Sequence, residues 1–308
     1  MLYADMVKQG YPEDRTAGLL VIAGGLGPVI PPSIIMVLYC TLTGASVTNM
    51  FSQGMVIGLL IMIVLILEAL YYAHKEKWPK AETKHTAGEI GKIFLEAVPA
   101  LMTPVIILGG IYTGICSPTE AACISVVYAL LVGVFAYRTI RFKELVSCLI
   151  DTAKTAAPVM LILCCCTVFG RILNILNVPQ TLAEIVTSNI DSKILVLLAI
   201  NIFLLFTGMV MDTVPAILIL APIFWPIVQS YGVGAVHFGI IMSVNLAIGF
   251  VTPPIGTNLF VAQSLTGTPI ARIAKNALPF IGMFLIALML ITYIPQISEF
   301  LPALLSTK

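Results

Sequence analysis

Apolar residues in this chain occur in long runs rather than in the short alternating patterns of a soluble domain. A helix needs about 20 apolar residues to cross the hydrocarbon core of a bilayer. Seven runs approach or reach that length, at about 54–73, 98–113, 119–137, 155–177, 194–208, 213–228 and 278–295. Charged residues collect between them. The pattern predicts an all-α polytopic membrane protein.

Two further apolar segments are each interrupted by a pair of prolines. The stretch Gly27 to Ser33 reads Gly-Pro-Val-Ile-Pro-Pro-Ser, and Gly249 to Ile255 reads Gly-Phe-Val-Thr-Pro-Pro-Ile. Adjacent prolines prevent continuous helix, because each lacks an N–H and the second forces the first out of the α region. In lipid, such a break must be buried in protein or line a wet cavity. We therefore predict two re-entrant helical hairpins, at about 16–42 and 238–265.

Composition supports a membrane protein and excludes several other classes. Hydrophobic residues make up 59% of the 308 positions and charged residues 10%, against roughly 25% charged in a soluble domain. The net charge of +1 gives no sign of nucleic-acid binding. No phosphate-binding loop, zinc-protease motif or nucleophile elbow is present in the sequence. We expect no enzyme and no cofactor, and we expect an ion gradient to supply the energy.

Charged stretches between the runs suggest how the chain lies in the membrane. Lys75 to Lys80 and the charges that follow predict an interfacial arm at about 75–95. A second basic patch lies between Arg138 and Lys154. Both patches are expected to be cytoplasmic, because Lys and Arg are enriched on that side. Whether 98–137 forms one broken helix or two stays open.

Two acidic residues interrupt apolar sequence. Glu120 follows Gly114 in one break, and Asp212 follows Gly208 in another. An acidic side chain at membrane depth costs roughly 2.5–3.5 kcal/mol on insertion scales, so both need partners. One interpretation is that they hold the breaks open around a cation. The alternative is that they are N-terminal helix charges without a role in transport.

Sodium suits the oxygens that these breaks can supply. Unwound backbone carbonyls and short hydroxyls are neutral ligands, whereas divalent metals favour clustered carboxylates or imidazoles. The three histidines lack metal-ligand spacing, and the seven cysteines are interpreted as small apolar fillers. The predicted sodium ligands are Gly27, Ser33, Ser117, Thr119, Gly208, Met211, Asp212, Gly249 and Thr252. The residues predicted to bind the solute are Asn258, Thr257 and Glu120.

Four ordered motifs resemble the large membrane subunit of the tripartite ATP-independent periplasmic (TRAP) transporters. They lie at Gly25–Ser33, Gly114–Ala122, Met211–Pro226 and His237–Gly256. The resemblance covers essentially the whole chain. It implies an inverted-repeat, elevator-type fold with broken helices, in the bacterial inner membrane. It also implies sodium-coupled import of an organic acid, such as a C4-dicarboxylate or a sialic acid-like solute. The implied partners are a DctQ-like small membrane subunit and a DctP-like periplasmic binding protein.

The repeat can be placed on the chain, but its first half is short. We expect residues 1–151 to form an N-terminally incomplete first repeat and residues 152–308 a second one, because the counterpart of the apolar segment with Gly208 to Thr213 would lie before Met1. The resemblance agrees, since family members generally carry spanning sequence before that position. Two alternatives stay open beside the leading hypothesis. One is a sodium/dicarboxylate symporter that needs no binding protein, and the other is a non-transporting fragment.

Overall fold

The computed structural model describes residues 2–79 and 86–297, and those residues form helices and no strand. The helices are α1 (Leu2–Lys8), α2 (Glu13–Gly25), α3 (Ile34–Thr43), α4 (Val47–Lys75), α5 (Ala87–Tyr112), α6 (Pro118–Leu131), α7 (Phe142–Ile175), α8 (Val178–Asn189), α9 (Lys193–Val210), α10 (Thr213–Ser230), α11 (Ala235–Phe250), α12 (Thr257–Thr266) and α13 (Ile270–Tyr293). A short π-helix, Val132–Ala136, continues α6.

Within the described ranges, seven helices are long and apolar enough to cross a bilayer, which confirms the predicted all-α polytopic fold. They are α4, α5, α6 with its π-helical extension, α7, α9, α10 and α13. Each corresponds to one of the seven apolar runs. The helices extend beyond most of the runs, because polar residues near the membrane surface continue the helix after the apolar stretch ends.

The segment 98–137 forms two helices rather than one broken helix. α5 and α6 are joined by a turn in which Gly114 has φ +70°, a conformation that favours glycine. The Tyr128 hydroxyl donates to the Pro99 carbonyl over 2.9 Å, and the Tyr137 hydroxyl donates to the Glu96 carbonyl over 2.8 Å. These bonds hold α5 and α6 side by side in antiparallel orientation.

Both proline pairs interrupt helix where predicted. The first separates α2 from α3, and the second separates α11 from α12. The arms are 10 to 16 residues long, and both Pro-Pro peptide bonds are cis. We call residues 26–33 the first tip and residues 251–256 the second tip.

The described residues divide into two compact units. One contains 2–79 together with 166–297, and the other contains 86–165. Both tips and the α9–α10 break belong to the first unit. The predicted repeats, 1–151 and 152–308, stay a prediction. The predicted interfacial arm at 75–95 includes residues 80–85, which lie outside the described residues, and the chain has entered α5 by Ala87.

α11 is the central helix of the first unit. Thirteen of its sixteen residues are buried, and it packs against α2, α3, α4, α9, α10 and α13. A Cβ atom on Gly239 would lie 2.5 Å from the Tyr39 ring, so this glycine makes room for the tyrosine. The Tyr39 hydroxyl donates to the Ala235 carbonyl over 2.8 Å, which ties α3 to the start of α11. The surrounding helices therefore set the position of the second hairpin.

An ion pair joins the first hairpin to the end of α4. Arg15 donates to Glu76 Oε1 from Nη2 over 2.8 Å and from Nε over 3.2 Å, and its guanidinium lies 4.1 Å from the centre of the Tyr72 ring. A third bond runs to the Asn276 carbonyl of α13. Trp78 Nε1 donates to the other oxygen of Glu76. One guanidinium thus connects α2, α4 and α13.

These contacts hold the pKa of Glu76 below its ordinary value. Partial burial acts to raise the pKa, but hydrogen bonds from Trp78 and Arg15, and the charges of Arg15 and Lys75, outweigh it. A carboxyl group whose pKa is lower in the folded state stabilises the fold above its unfolded pKa. That stabilisation is lost as the pH falls through the folded pKa.

We predict that Glu76→Gln lowers the thermal unfolding temperature of the protein in detergent at pH 7, by an amount equivalent to about 1 kcal/mol. The gap from wild type should narrow as the pH falls below the ordinary glutamate pKa of about 4.3, and it should close once the pH is below the lowered pKa of folded Glu76, because the wild-type side chain is then protonated as well. Glu13→Gln removes the same charge from an exposed position and is the control. A gap that persists unchanged at low pH would contradict the role of the charge.

Candidate functional site

The α9–α10 break consists of two residues in extended conformation. α9 ends at Val210, and Met211 and Asp212 have φ −116° and −66° with ψ 154° and 153°. Asp212 begins α10 as its N-cap, and its Oδ1 accepts hydrogen bonds from the Thr213 N–H over 2.6 Å and the Thr213 hydroxyl over 3.2 Å. The Asp212 side chain is exposed, and its Oδ2 makes no hydrogen bond within the described residues. That oxygen is available to a ligand.

The second tip lies directly against this break. A Cβ atom on Gly249 would be 2.5 Å from the Gly208 Cα, and one on Gly208 would be 3.1 Å from the Gly249 Cα. Backbone therefore meets backbone at the last turns of α9 and α11. The tip is also hydrogen-bonded to α9, because the N–H groups of Ile255 and Gly256 approach the Met209 carbonyl at 3.3 and 3.4 Å. Of the predicted sodium ligands, the structure brings Gly208, Met211, Asp212, Gly249 and Thr252 into this one region.

The two helix ends bring cation-favouring groups together. The last carbonyls of a helix have no partner within it, and the C-terminus carries a partial negative charge. The Thr252 hydroxyl donates to the Ile248 carbonyl over 2.6 Å, which leaves its oxygen lone pairs available. Thr252 is 8% exposed, so a ligand there would be largely shielded from water. The arrangement presents neutral oxygens and the Asp212 carboxylate at the ends of two helices whose last turns are in contact, and groups of this kind suit a small cation.

The first hairpin covers part of the second tip. A Cβ atom on Gly25 would lie 2.9 Å from Val251 Cγ1, and one on Gly24 would lie 2.8 Å from Asn258 Nδ2. Asn258 Nδ2 approaches the Val21 carbonyl at 3.3 Å, so the amide bridges α12 and α2. The predicted sodium ligands of the first tip lie close by in sequence. Ser33 is buried and donates to the Pro28 carbonyl over 2.7 Å, and the Gly27 N–H donates to the Gly24 carbonyl.

A cavity of about 240 Å³ extends from Asn258 between α1, α2 and α12. Its polar groups come from Asn258, Tyr3 and Thr266, and the remaining walls are apolar. Thr257, the other predicted solute ligand of α12, has a buried hydroxyl without a hydrogen-bond partner among the described residues. Unpaired buried hydroxyls are uncommon in native proteins. A ligand at the second tip would supply the missing partner.

Three predicted site residues belong to the other unit, and their assignment as ligands stays a prediction. Ser117, Thr119 and Glu120 begin α6, where Glu120 accepts hydrogen bonds from the Ser117 N–H and hydroxyl, each over 2.8 Å. Ser117 and Glu120 form a capping box, which satisfies free donors at the helix start. Glu120 thus stands at a helix start, as Asp212 does in the first unit.

Sequence reasoning missed two buried amides near the site. Asn201 of α9 and Asn245 of α11 are 1% and 0% exposed, and Asn245 Nδ2 donates to Asn201 Oδ1. The available signal was an asparagine within each of two apolar helical segments. A polar residue at that depth needs a partner, and no local pattern says which one.

We predict that Gly249→Ala destabilises the protein, because the added methyl group has to separate α9 from α11. Overpacking of this kind costs about 1–3 kcal/mol, so the unfolding temperature in detergent should fall by several degrees. Gly282→Ala in α13 is the control, since a Cβ there meets nothing within 4 Å. Equal stability of the two variants would show that the Gly208–Gly249 contact is looser than described.

Comparison with known proteins identifies relatives over nearly the whole chain. A family model described as "Tripartite ATP-independent periplasmic transporter, DctM component" matches residues 1–297. The chain is similar to the isethionate TRAP transporter permease protein DctMQ of Oleidesulfovibrio alaskensis, at 41% identity over 295 residues that cover 96% of this chain and 46% of that protein.

Two further relatives differ in the solute after which they are named. The C4-dicarboxylate TRAP transporter large permease protein DctM of Pseudomonas aeruginosa is 41% identical over 299 residues, covering 97% of this chain and 70% of that protein. The sialic acid TRAP transporter permease protein SiaT of Haemophilus influenzae is 32% identical over 296 residues, covering 96% and 48%. The chain therefore spans from about half to about 70% of the length of these three relatives.

Proposed function

The chain belongs to the DctM component family of the tripartite ATP-independent periplasmic transporters, and on that premise we propose that it forms the transport pathway of a sodium-coupled importer for a small organic acid. Family membership confirms the resemblance predicted from the four motifs. It also confirms that the chain is a transporter permease rather than an enzyme. The seven candidate spans agree with its location in the bacterial inner membrane.

The observation that carries the proposal is the contact of the second tip with the α9–α10 break. It joins two helix C-termini, the Thr252 hydroxyl and one unpaired oxygen of Asp212. Sodium accepts neutral oxygens of this kind. No group of three or more His, Cys, Asp or Glu side chains suited to a metal ion occurs in the described part of the chain, and a divalent ion would favour such a group.

The solute in this proposal is an organic anion. Isethionate, C4-dicarboxylates and sialic acid, after which the relatives are named, share an acidic group. Asn258 and Thr257 are the groups proposed to bind it, since both stand at the start of α12 beside the second tip. An amide and a hydroxyl fit many carboxylates and hydroxy acids, so they support the class of solute and not one compound.

The partners and the transport movement follow the family description of a tripartite periplasmic system. A DctQ-like small membrane subunit would anchor the pathway, and a DctP-like periplasmic protein would deliver the solute. The hairpins would move together as an elevator, with 1–151 and 152–308 as the two repeats. The matching proline breaks support the repeat. A proline-containing helix, α13, follows the second hairpin directly, and the proline-containing helix of the first half, α5, follows its hairpin after α4.

We predict that Thr252→Ala weakens sodium activation of uptake. Loss of one oxygen ligand worth about 1.4 kcal/mol would raise the half-saturating sodium concentration roughly tenfold. Uptake is measured in proteoliposomes that contain the chain with its two proposed partners. Thr43→Ala is the control, because the Thr43 hydroxyl also donates to a carbonyl four residues earlier but lies at the far end of the first hairpin. Unchanged sodium activation in folded Thr252→Ala would exclude this residue from the ion site.

The solute class is tested by competition. In the same proteoliposomes, we expect some members of a panel of mono- and dicarboxylates to compete with uptake. Matched cations and uncharged analogues should have no effect, because the proposed solute is an anion. Competition confined to cationic or neutral compounds would overturn the assignment of an organic acid.

A further inference from the structure

A network of buried polar side chains joins three helices beneath the second tip. Asn245 Nδ2 donates to Asn201 Oδ1, and Asn201 Nδ2 approaches the Thr292 hydroxyl at 3.3 Å, so the bonds run from α11 through α9 to α13. All three residues are 2% exposed or less. His237 Nε2 lies 3.4 Å from the Thr292 carbonyl and ties the first turn of α11 to the same place.

This network lies within two helical turns of the candidate ion site. Asn245 precedes Gly249 by one turn of α11, about 6 Å along the axis, and Asn201 precedes Gly208 by two turns of α9, about 10 Å. Each amide and the glycine that follows it therefore lie on the side of their helix that faces the other helix. The same two helix surfaces carry both the hydrogen bond and the backbone contact.

Packing positions α11, but its apolar contacts carry no directional bonds. The helix is buried on all sides, mostly among apolar side chains, and its dispersion contacts are individually weak. The Gly208–Gly249 contact likewise contains no side chain to set its register. A hydrogen bond between two buried amides is directional, and leaving either amide unpaired is costly.

We propose that Asn201, Asn245 and Thr292 are positioning residues that fix α11 against α9 and α13, so that the second tip stays against the Met209 carbonyl and the α9–α10 break. The proposal rests on the assignment of that tip as the sodium site. The network itself has few oxygens to offer a cation, because Asn201 Oδ1 and the Thr292 hydroxyl oxygen each already accept an N–H. Only Asn245 Oδ1 has no partner among the described residues.

A double-mutant cycle separates positioning from simple stabilisation. Asn201→Leu leaves Asn245 with only the bond of its Nδ2 to the Ile241 carbonyl of its own helix, and Asn245→Leu leaves Asn201 Oδ1 without its donor. Each single variant should therefore lower the unfolding temperature. The double variant removes both amides and should recover much of that loss, since paired apolar replacements can be nearly neutral. It should nevertheless raise the half-saturating sodium concentration at least about fivefold. The double variant is therefore the decisive one.

A second readout does not depend on sodium coupling. The N–H groups of Ile255 and Gly256 approach the Met209 carbonyl, so hydrogen–deuterium exchange of a peptide spanning 251–258 reports how firmly the tip is held. In sodium-free buffer, we expect exchange in the double variant to be at least about fivefold faster than in wild type. If wild-type uptake proves independent of sodium, the proposed function fails, while this exchange measurement still decides the positioning role.

Two further variants complete the test. Thr292→Val keeps the side-chain shape and removes only the hydroxyl, so it is expected to fold and to speed tip exchange about twofold or more. If the double variant does not fold, Thr292→Val is the variant that tests the positioning role. Asn174→Leu removes a part-buried amide that bonds to its own helix at the Gly170 carbonyl, and it should leave tip exchange unchanged. Wild-type exchange at the tip in a folded double variant, or in Thr292→Val, would overturn the proposal.

Discussion

The backbone contact between Gly208 and Gly249 is the constraint on which the candidate site depends. Two helices approach this closely only where both lack a side chain, because a Cβ on either glycine would meet the backbone of the other. α9 leads from this contact into the Asp212 break, and α11 leads from it into the second tip. The contact therefore brings the C-terminal ends of two interrupted helices to one place.

In a bilayer, the backbone polar groups at such a break must be covered by protein or reached by water, since they cannot face lipid without partners. The first hairpin helps to solve this problem. Gly25 packs on Val251, and Asn258 reaches the Val21 carbonyl, so the arm of one hairpin covers the tip of the other. The Thr257 hydroxyl and Asp212 Oδ2 remain without hydrogen bonds in the described residues. These two oxygens are therefore available to ligands, the Thr257 hydroxyl in the proposed solute site and Asp212 Oδ2 in the proposed ion site.

The two carboxylates that looked alike in the sequence have different surroundings. Glu120 stands three residues after Ser117, which is the spacing of a capping box, and the two residues form that capping box at the start of α6. Asp212 is the N-cap itself, and it bonds to Thr213 through one oxygen only. Each carboxylate therefore bonds to its own helix start through a single oxygen, Oε2 in Glu120 and Oδ1 in Asp212. A capping box can be recognised in sequence, and Ser-Pro-Thr-Glu carries its pattern.

The sequence by itself determined the seven spanning helices, the two proline breaks and the residue types around the second tip. These depend on local properties, namely the length of apolar runs, the missing N–H of proline and the spacing of residues along one helix. Only the tertiary structure decided that Gly208 meets Gly249, that Ser117, Thr119 and Glu120 belong to another unit, and that Asn201 pairs with Asn245. Those relations join residues tens of positions apart, and they depend on how helix surfaces pack, which no local pattern specifies.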